Sequence, residues 1–438
     1  MKKHICVGLI GLGTVGTGVA KIINSPDGRH PLVSKIKLSK IAVRDKRKSR
    51  SISIPNELIT EDPLEIVQDP EIDVVVEVMG GIEPSRTLIL SAIKSGKSVV
   101  TANKAVIARH GEEIAAAANS AGVYVLIEAA VGGGIPIIEP LKQSLGGNKI
   151  KKVSGIINGT TNYILTRMAK EGANYQELLK EAQELGYAEA DPMADVEGLD
   201  AADKISILSG LAFGGHINRS LIPTKGISDL QNIDVNYANQ LGYEVKLIAV
   251  AESLQVQKAN DESLALAVRV EPTLILKEHP LAGVNGVNNA IFVEGDPIGE
   301  VMFYGPGAGS GPTASAVVAD ILNIAGIKVM GEVSNSLDPL LSAFSWRKCH
   351  LAKPTEIFQK NYLRLITKDT PGVIGQIGQI FGKKKVSIQS IVQFDSNDTD
   401  AEIVVITHQV NKGLIKEAIT EIENLLEVKK IAAHMSCL

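Results

Sequence analysis

The 438-residue chain has little cysteine, few aromatic residues and no long apolar run. Its three cysteines, Cys6, Cys349 and Cys437, are scattered without a C-x-x-C or His-Cys spacing. That excludes a disulfide framework and a cysteine-based zinc site as readings, and it fits a reducing cytoplasm. Aromatic residues make up 4% of the chain and the formal net charge is -4, so the basic groove with interleaved rings that marks a nucleic-acid partner is missing. No uninterrupted apolar stretch reaches the roughly 18 residues of a membrane span. The N-terminus, MKKHICVGLIGLGTVGTGVA, starts with positive charge and an apolar run as a signal peptide does. Five glycines interrupt it, and a strand followed by a turn is the better reading. The expectation is a cytoplasmic protein with neither membrane nor nucleic acid as partner.

What is present is ordinary for a globular enzyme: 45% hydrophobic and 21% charged residues. A chain this long exceeds one hydrophobic core, and three domains are expected. In the first third, short apolar runs (ICVGLI, KLSKIAV, DVVVEV, KSVVTA, VYVLIE) alternate with amphipathic segments such as SRTLILSAIKSG. That alternation predicts an α/β domain with a Rossmann-type parallel sheet and crossover helices over 1–130. Beyond it the pattern changes. Helical stretches at 160–185 and 199–213 precede β-branched runs (EVKLIAVAE, LALAVRVEP, NAIFVEG, GEVMFYG), which predict an α+β substrate and dimerisation domain over 131–307. GPTASAVVADILNIAG returns to helical period and is expected to pack back on the first domain, completing it with about 308–335. Residues 336–360 read as a connector, and 361–438 as strand, helix, strand, strand, helix, strand.

The first strand runs into Gly11-Leu-Gly13-Thr14-Val15-Gly16, a G-x-G-x-x-G between strand and helix. In that context Gly11 permits the tight turn, Gly13 lets backbone approach a pyrophosphate, and Gly16 allows close helix–strand packing. A turn that binds nothing is the bland alternative. Where an NAD-binding chain usually carries an acid, after the second strand, stands Arg44, followed by Asp45-Lys46-Arg47-Lys48. Arg44 suits a 2′-phosphate and favours NADP, while Asp45 leaves NAD open. Ligands of open α/β sheets sit beyond the carboxyl ends of the strands, so Gly80-Gly81, Lys104, and Glu128 with Gly132-Gly133-Gly134 are further candidates. Lys104 could equally be a surface lysine. The glycine run is either a flexible crossing or a set of carbonyls for a hard cation beside Glu128.

The segment GYAEADPMADVEGLDAADK, 186–204, carries six carboxylates and ends on Lys204. Asp200 and Lys204 are four apart and share a helix face, heading an apolar row of Leu208 and Leu211. One reading is a cleft wall, with the acids gripping substrate and Lys204 exchanging protons once its pKa is tuned by burial and neighbours. The other is an acidic first helical turn that satisfies the macrodipole.

Position by position the segment resembles the signature of homoserine dehydrogenases: Ala182, Gly186, Tyr187, Ala188, Asp191, Pro192, Asp195, Gly198, Asp200 and Lys204. The likeness extends through GLGTVG, TANKAVIA, EAAVGGGIPII, INGTTNYIL and GPGAGSGPTASAVVAD, and covers essentially the whole chain. It implies NAD(P)-dependent interconversion of L-homoserine and L-aspartate 4-semialdehyde on the route to threonine, isoleucine and methionine. It further implies Lys204 as proton donor, Lys104 as a second lysine at substrate and nicotinamide, and Glu189 and Asp200 as substrate-binding acids. Gly186 and Gly305 resemble nicotinamide-side contacts. Glu128, with the backbones of Val131, Gly133 and Ile135, resembles a sodium site. The tail resembles an ACT domain, in which the turn Asp369-Thr-Pro-Gly372 can help hold an amino acid at a dimer interface. A homodimer or homotetramer with threonine feedback is implied, although a dimerisation module without a ligand would look alike.

A phosphorylating semialdehyde dehydrogenase would need an activated cysteine in the crevice, where Cys6 and Cys349 are badly placed. A phosphoglycerate-type dehydrogenase would carry its nucleotide loop mid-chain. From another class, a catalytically silent NADP and amino-acid sensor remains the alternative, against which both lysines argue.

Overall fold

A computed structural model of the protein describes residues 4–254, 263–330, 337–338, 341–342, 345, 347–397 and 400–438. Most of the expected connector before 347 therefore lies outside the described residues. The chain divides into two compact units, one of residues 1–153, 203–221 and 288–349, the other of 154–202, 222–287 and 350–438.

In the first unit six parallel strands stand in the order Ile59–Thr60, Ile36–Ala42, Ile5–Ile10, Val74–Glu77, Ser98–Thr101, Val125–Leu126. This is the doubly wound order of dinucleotide-binding sheets, with the chain reversing direction of travel across the sheet beside the first strand. Its central strands are largely buried on both faces, with Ile5, Val7, Leu9, Val74, Val76 and Val100 in the core, whereas Ile36–Ala42 exposes Lys37. Helix Ser310–Met330 packs on that core: Ala314, Val317, Ile321, Ile324 and Ala325 join one cluster with the sheet and with helix Thr14–Ile23. A Cβ on Gly18 would lie 2.6 Å from the Ser310 carbonyl, so the two helices meet at nearly backbone distance. Residues 310–329 are long and apolar enough to cross a membrane by composition, a window in which charge is sparse but Asp320 sits fully buried. Packing in this core buries 44% of that window. VYVLIE yields only a two-residue strand, because the chain turns at Glu128–Ala130 into a 3-10 helix.

In the second unit the expected single stretch 160–185 is two helices, Gly159–Glu171 and Tyr175–Glu184. Gly172 ends the first in the left-handed region at φ 67° and Asn174 caps the second, a stop-and-start signal that the apolar period conceals. Strands Tyr243–Leu254 and Ser263–Leu276 form an antiparallel pair. The tail has the expected βαββαβ order: Phe358–Lys368 lies between Asp400–Thr407 and Val428–Cys437, with Ile388–Asn397 beyond Asp400–Thr407. Helices Val373–Lys383 and Lys412–Glu423 pack Ile377, Phe381, Ile415 and Ile422 against this sheet. Its last strand also pairs in parallel with the hairpin through Ser436 with Thr273 and Cys437 with Leu274. Where the tail strand and helix Asn232–Gln240 meet, Arg364 is buried against Asp234 at 2.7 and 3.0 Å and Glu402 at 3.2 Å.

Candidate active site

The glycine-rich turn between first strand and first helix is tightly built. Gly11 sits at φ 105°, and a Cβ there would come 2.9 Å from the Val78 carbonyl. A Cβ on Gly16 would fall 2.0 Å from the Gly11 carbonyl, so only glycine lets the helix start this close to the strand. Around Gly13 a Cβ would meet nothing, leaving its backbone open to an approaching phosphate at the N-terminus of Thr14–Ile23. Thr14 and Val15 open that helix, and the Thr14 carbonyl accepts a hydrogen bond from Ser310 Oγ at 2.7 Å. Beside the turn lies a cavity of about 490 Å³ lined by Gly11, Gly13, Arg44, Asp45, Lys48 and Arg50, among others. Arg44 is exposed on its rim. On the basic loop, hydrogen bonds from the Arg47 backbone and guanidinium hold the Asp45 carboxyl below the usual carboxylate range. Arg50, outside the expected cluster, donates to the Asp45 and Lys48 carbonyls and shapes the loop. A nicotinamide dinucleotide's adenosine end fits this arrangement of open backbone, cationic rim and cavity.

At the neighbouring strand ends a buried network fixes the chain that leads to Lys104. Glu77, fully buried, accepts from Met79 N at 2.9 Å and from Thr101 Oγ1 at 2.7 Å. Thr101 Oγ1 accepts from Asn103 N at 3.0 Å, and Asn103 caps the next helix through Val106 N while its amide donates to the Gly81 carbonyl at 2.7 Å. Lys104, half-buried, is the first residue of helix Lys104–Ala121. Its backbone thereby stands just past the carboxyl end of strand Ser98–Thr101. The supporting Glu77, Thr101 and Asn103 were missed, since a buried acid inside DVVVEV looks like an irregularity in an apolar run.

The glycine run is not a flexible crossing. Val131, Gly132 and Gly133 are buried, and a Cβ on Gly133 would fall 2.4 Å from the Gly307 carbonyl. Gly134 N donates to the Pro306 carbonyl at 3.2 Å, and Gly305 lies against Ile135 in the same loop cluster. Glu128 Oε1 accepts from Ile137 N and Ile138 N at 2.6 and 2.9 Å, and Oε2 accepts from Glu139 N at 2.7 Å. Its carboxylate thus caps the helix Ile138–Lys142. Among the described residues no backbone N–H donates to the carbonyls of Val131, Gly133 or Ile135, and buried Asp320 Oδ1 has no hydrogen-bond partner. Carboxylate oxygens of Glu128, Glu139 and Asp320 lie within 4.8 Å of one another. Burial pushes the Asp320 and Glu139 carboxyls up and the adjacent Lys142 ammonium down. Oxygen-only donors and an orphaned buried carboxylate atom fit a hard cation.

The acidic segment is resolved into helix Met193–Val196 and helix Leu199–Phe213, the latter carrying Asp200 and Lys204 on one face. Asp200 is 5% and Lys204 8% exposed, so both are buried, although Asp200 does stand in the acidic first turn of its helix. Asn158 Nδ2 donates to Asp200 Oδ2 at 2.9 Å and to Asp195 Oδ1 at 2.7 Å, while Thr160 Oγ1 donates to the Tyr187 carbonyl at 2.6 Å. The INGTTNYIL segment therefore supplies the groups that orient the acids, a role the sequence reading did not assign. Gly186 (φ 74°) follows helix Tyr175–Glu184, and Glu189 is exposed with its carbonyl accepting from Gln183 Nε2 at 3.1 Å.

Comparison with known proteins follows this geometry. Family models match residues 11–128 as "Homoserine dehydrogenase, NAD binding domain", 136–322 as "Homoserine dehydrogenase" and 361–427 as "ACT domain". A homoserine dehydrogenase of Synechocystis sp. is 54% identical over 425 residues, 97% of each chain. The crystal structure of a homoserine dehydrogenase from Thiobacillus denitrificans superposes with a TM-score of 0.87 at 40% identity, covering 100% of this chain and 98% of that one. A hyperthermophilic archaeal homoserine dehydrogenase in complex with NADPH gives 0.60 at 28% identity, covering 74% of this chain and 98% of that one.

Proposed function

The chain belongs to the homoserine dehydrogenase family, NAD(P)-dependent oxidoreductases acting on a CH–OH group, and on that premise we propose how its residues divide the work. The reaction interconverts L-homoserine and L-aspartate 4-semialdehyde. A catalytically silent sensor is not favoured, given a 54% identical dehydrogenase matched over 97% of the chain.

Gly11, Gly13, Thr14, Val15 and Gly16 hold the dinucleotide's phosphates, and Arg44 takes the 2′-phosphate, which makes NADP the preferred cofactor and leaves NAD usable. Gly186 and Gly305 border the nicotinamide. The bound dihydronicotinamide supplies the hydride for the aldehyde carbon. Lys204 donates the proton to the oxygen at that carbon, and Lys104 supports the negative charge developing there. Asp200 and Glu189 bind the substrate's ammonium and hydroxyl groups. Asp200, oriented by Asn158, meets this task with a fixed rather than a mobile carboxylate. Glu128 and the carbonyls of Val131, Gly133 and Ile135 hold a sodium ion, which neutralises buried negative charge and stiffens the glycine run.

The domains follow as 1–130 with 308–335 for the nucleotide, 131–307 for substrate and dimerisation, 336–360 as connector and 361–438 as the ACT regulator. Threonine at the Asp369–Gly372 turn, a homodimer or homotetramer, and a cytoplasmic location complete the reading. Gly372, at φ 94°, opens helix Val373–Lys383 at that turn, and Asp369 Oδ1 accepts from Gln393 Nε2 at 3.2 Å.

The observation that carries the catalytic part is the burial of Lys204 on the helix that also carries Asp200. A spectrophotometric assay with homoserine and either NADP or NAD, with and without threonine, tests it. Lys204→Ala enzyme that binds NADPH yet turns over as fast as wild type overturns it.

A further inference from the structure

The carboxylate next to Lys204 has no part in the roles assigned above, yet it is buried and doubly charge-paired. Asp203 is 6% exposed. Its Oδ1 accepts from Arg219 Nε at 2.6 Å, and its Oδ2 accepts from Arg109 NH1 at 3.1 Å. The same Arg109 NH1 also donates to the Ala105 carbonyl at 3.0 Å. One guanidinium nitrogen therefore ties the residue after Lys104 to the residue before Lys204. Arg219 is itself nearly enclosed, with 11% of its side chain exposed, so the second tie is shielded from solvent. All of these residues belong to the first compact unit.

We propose that Asp203, clamped between Arg109 and Arg219, is a positioning residue that fixes the register of helix Lys104–Ala121 against helix Leu199–Phe213, and so the separation of the two lysine side chains. This inference rests on the proposed roles of Lys104 and Lys204.

The physical reason is the steepness of proton transfer with distance. A proton donor works within about 2.6–3.2 Å of its acceptor, and a misplacement of about 1 Å loses roughly 100-fold in rate. A lysine side chain has several rotatable bonds, so its reach is decided by where its Cα is held. The Asp203 pairs act on backbone next to both lysines, one residue away in each case. They are also partly to wholly buried, where charge-assisted hydrogen bonds hold geometry better than they do on open surface.

The test uses the full-length enzyme with NADPH and aspartate semialdehyde. Asp203→Asn is expected to lower kcat roughly 10- to 100-fold, leave NADPH affinity measured by nucleotide fluorescence unchanged, and enlarge the solvent deuterium effect on kcat, because proton donation becomes slower. Asp203→Glu recovers part of the loss. Arg109→Ala, at a guanidinium that is partly exposed and so safe for folding, reproduces the isotope signature with a smaller loss. A purely structural role would instead lower the folded fraction and leave kcat per folded enzyme and the isotope effect as in wild type; that result in Asp203→Asn, or in Arg109→Ala should Asp203→Asn not fold, overturns the proposal. Lys204→Ala run in parallel separates the two ideas. Inactive Lys204→Ala beside fully active clamp variants sinks the clamp alone, whereas active Lys204→Ala sinks the lysine assignment beneath it.

Discussion

The basic loop after the second strand and the charged face of helix Leu199–Phe213 use the same residue types under opposite solvent conditions. On that loop Arg44, Arg47 and Lys48 are exposed, and the ion pair of Arg47 with Asp45 lies in water, where such pairs contribute little to stability. On the helix, Asp200, Asp203 and Lys204 are each less than 10% exposed, and every carboxylate there has named donors. Exposed cations are free to meet an incoming phosphate. Buried ones are committed, and losing a partner leaves a charge that water cannot reach.

That contrast sets the sizes of the expected effects. Lys204→Ala should cut kcat by about 100- to 10,000-fold with NADPH binding retained, the usual contribution of a positioned acid or base; stopped-flow and equilibrium binding measure the two separately. Arg364→Leu, which strips Asp234 and Glu402 of their buried cation, should destabilise the fold by about 3–5 kcal/mol, read from urea unfolding. A midpoint unchanged from wild type would erase the distinction drawn between buried and exposed pairs. Arg44→Ala should leave unfolding unaltered and weaken NADPH roughly 10- to 100-fold, the scale of a lost charged hydrogen bond, with NADH nearly unaffected; equal weakening of both would remove Arg44 from the 2′-phosphate.

The smallest effect concerns His434, whose ring Nε2 stands 3.0 Å from Asn361 Oδ1 and whose pKa burial pushes down to about 4. Its folded value lies below the ordinary 6.5, so the unfolded chain takes up the proton first. The stability it confers is full above about pH 6.5 and is lost as pH falls towards about 4. His434→Gln should therefore flatten part of the decline in melting temperature between pH 7 and pH 5. A decline identical to wild type would show that other groups carry it.

Much of this molecule was legible in its residues. Parallel strands, the glycine-rich turn after the first strand and the tail's βαββαβ order follow from apolar period, glycine spacing and turn chemistry, all local properties; the burial of Asp200 and Lys204 does not, since the same residues also read as an acidic first helical turn. Less was legible where the decisive partner is distant in sequence. Glu77 with Thr101, Asn158 with Asp195 and Asp200, and Asp203 with Arg109 are separated by 24 to 94 residues. The glycine run at 132–134 read equally well as a hinge until the Gly307 carbonyl was found against it. Helix 160–185 was split by Gly172 and Asn174, a local signal that the apolar pattern outweighed.

By itself the sequence determined the parallel α/β sheet and the family, because hydrophobic period and fixed motif spacing act along the chain. Only the tertiary structure decided which charges lose their water and which partners replace it. Burial and long-range hydrogen bonding exist only once segments far apart in the chain have packed, and they separate an acid that merely decorates a helix from one that can hold a lysine in place.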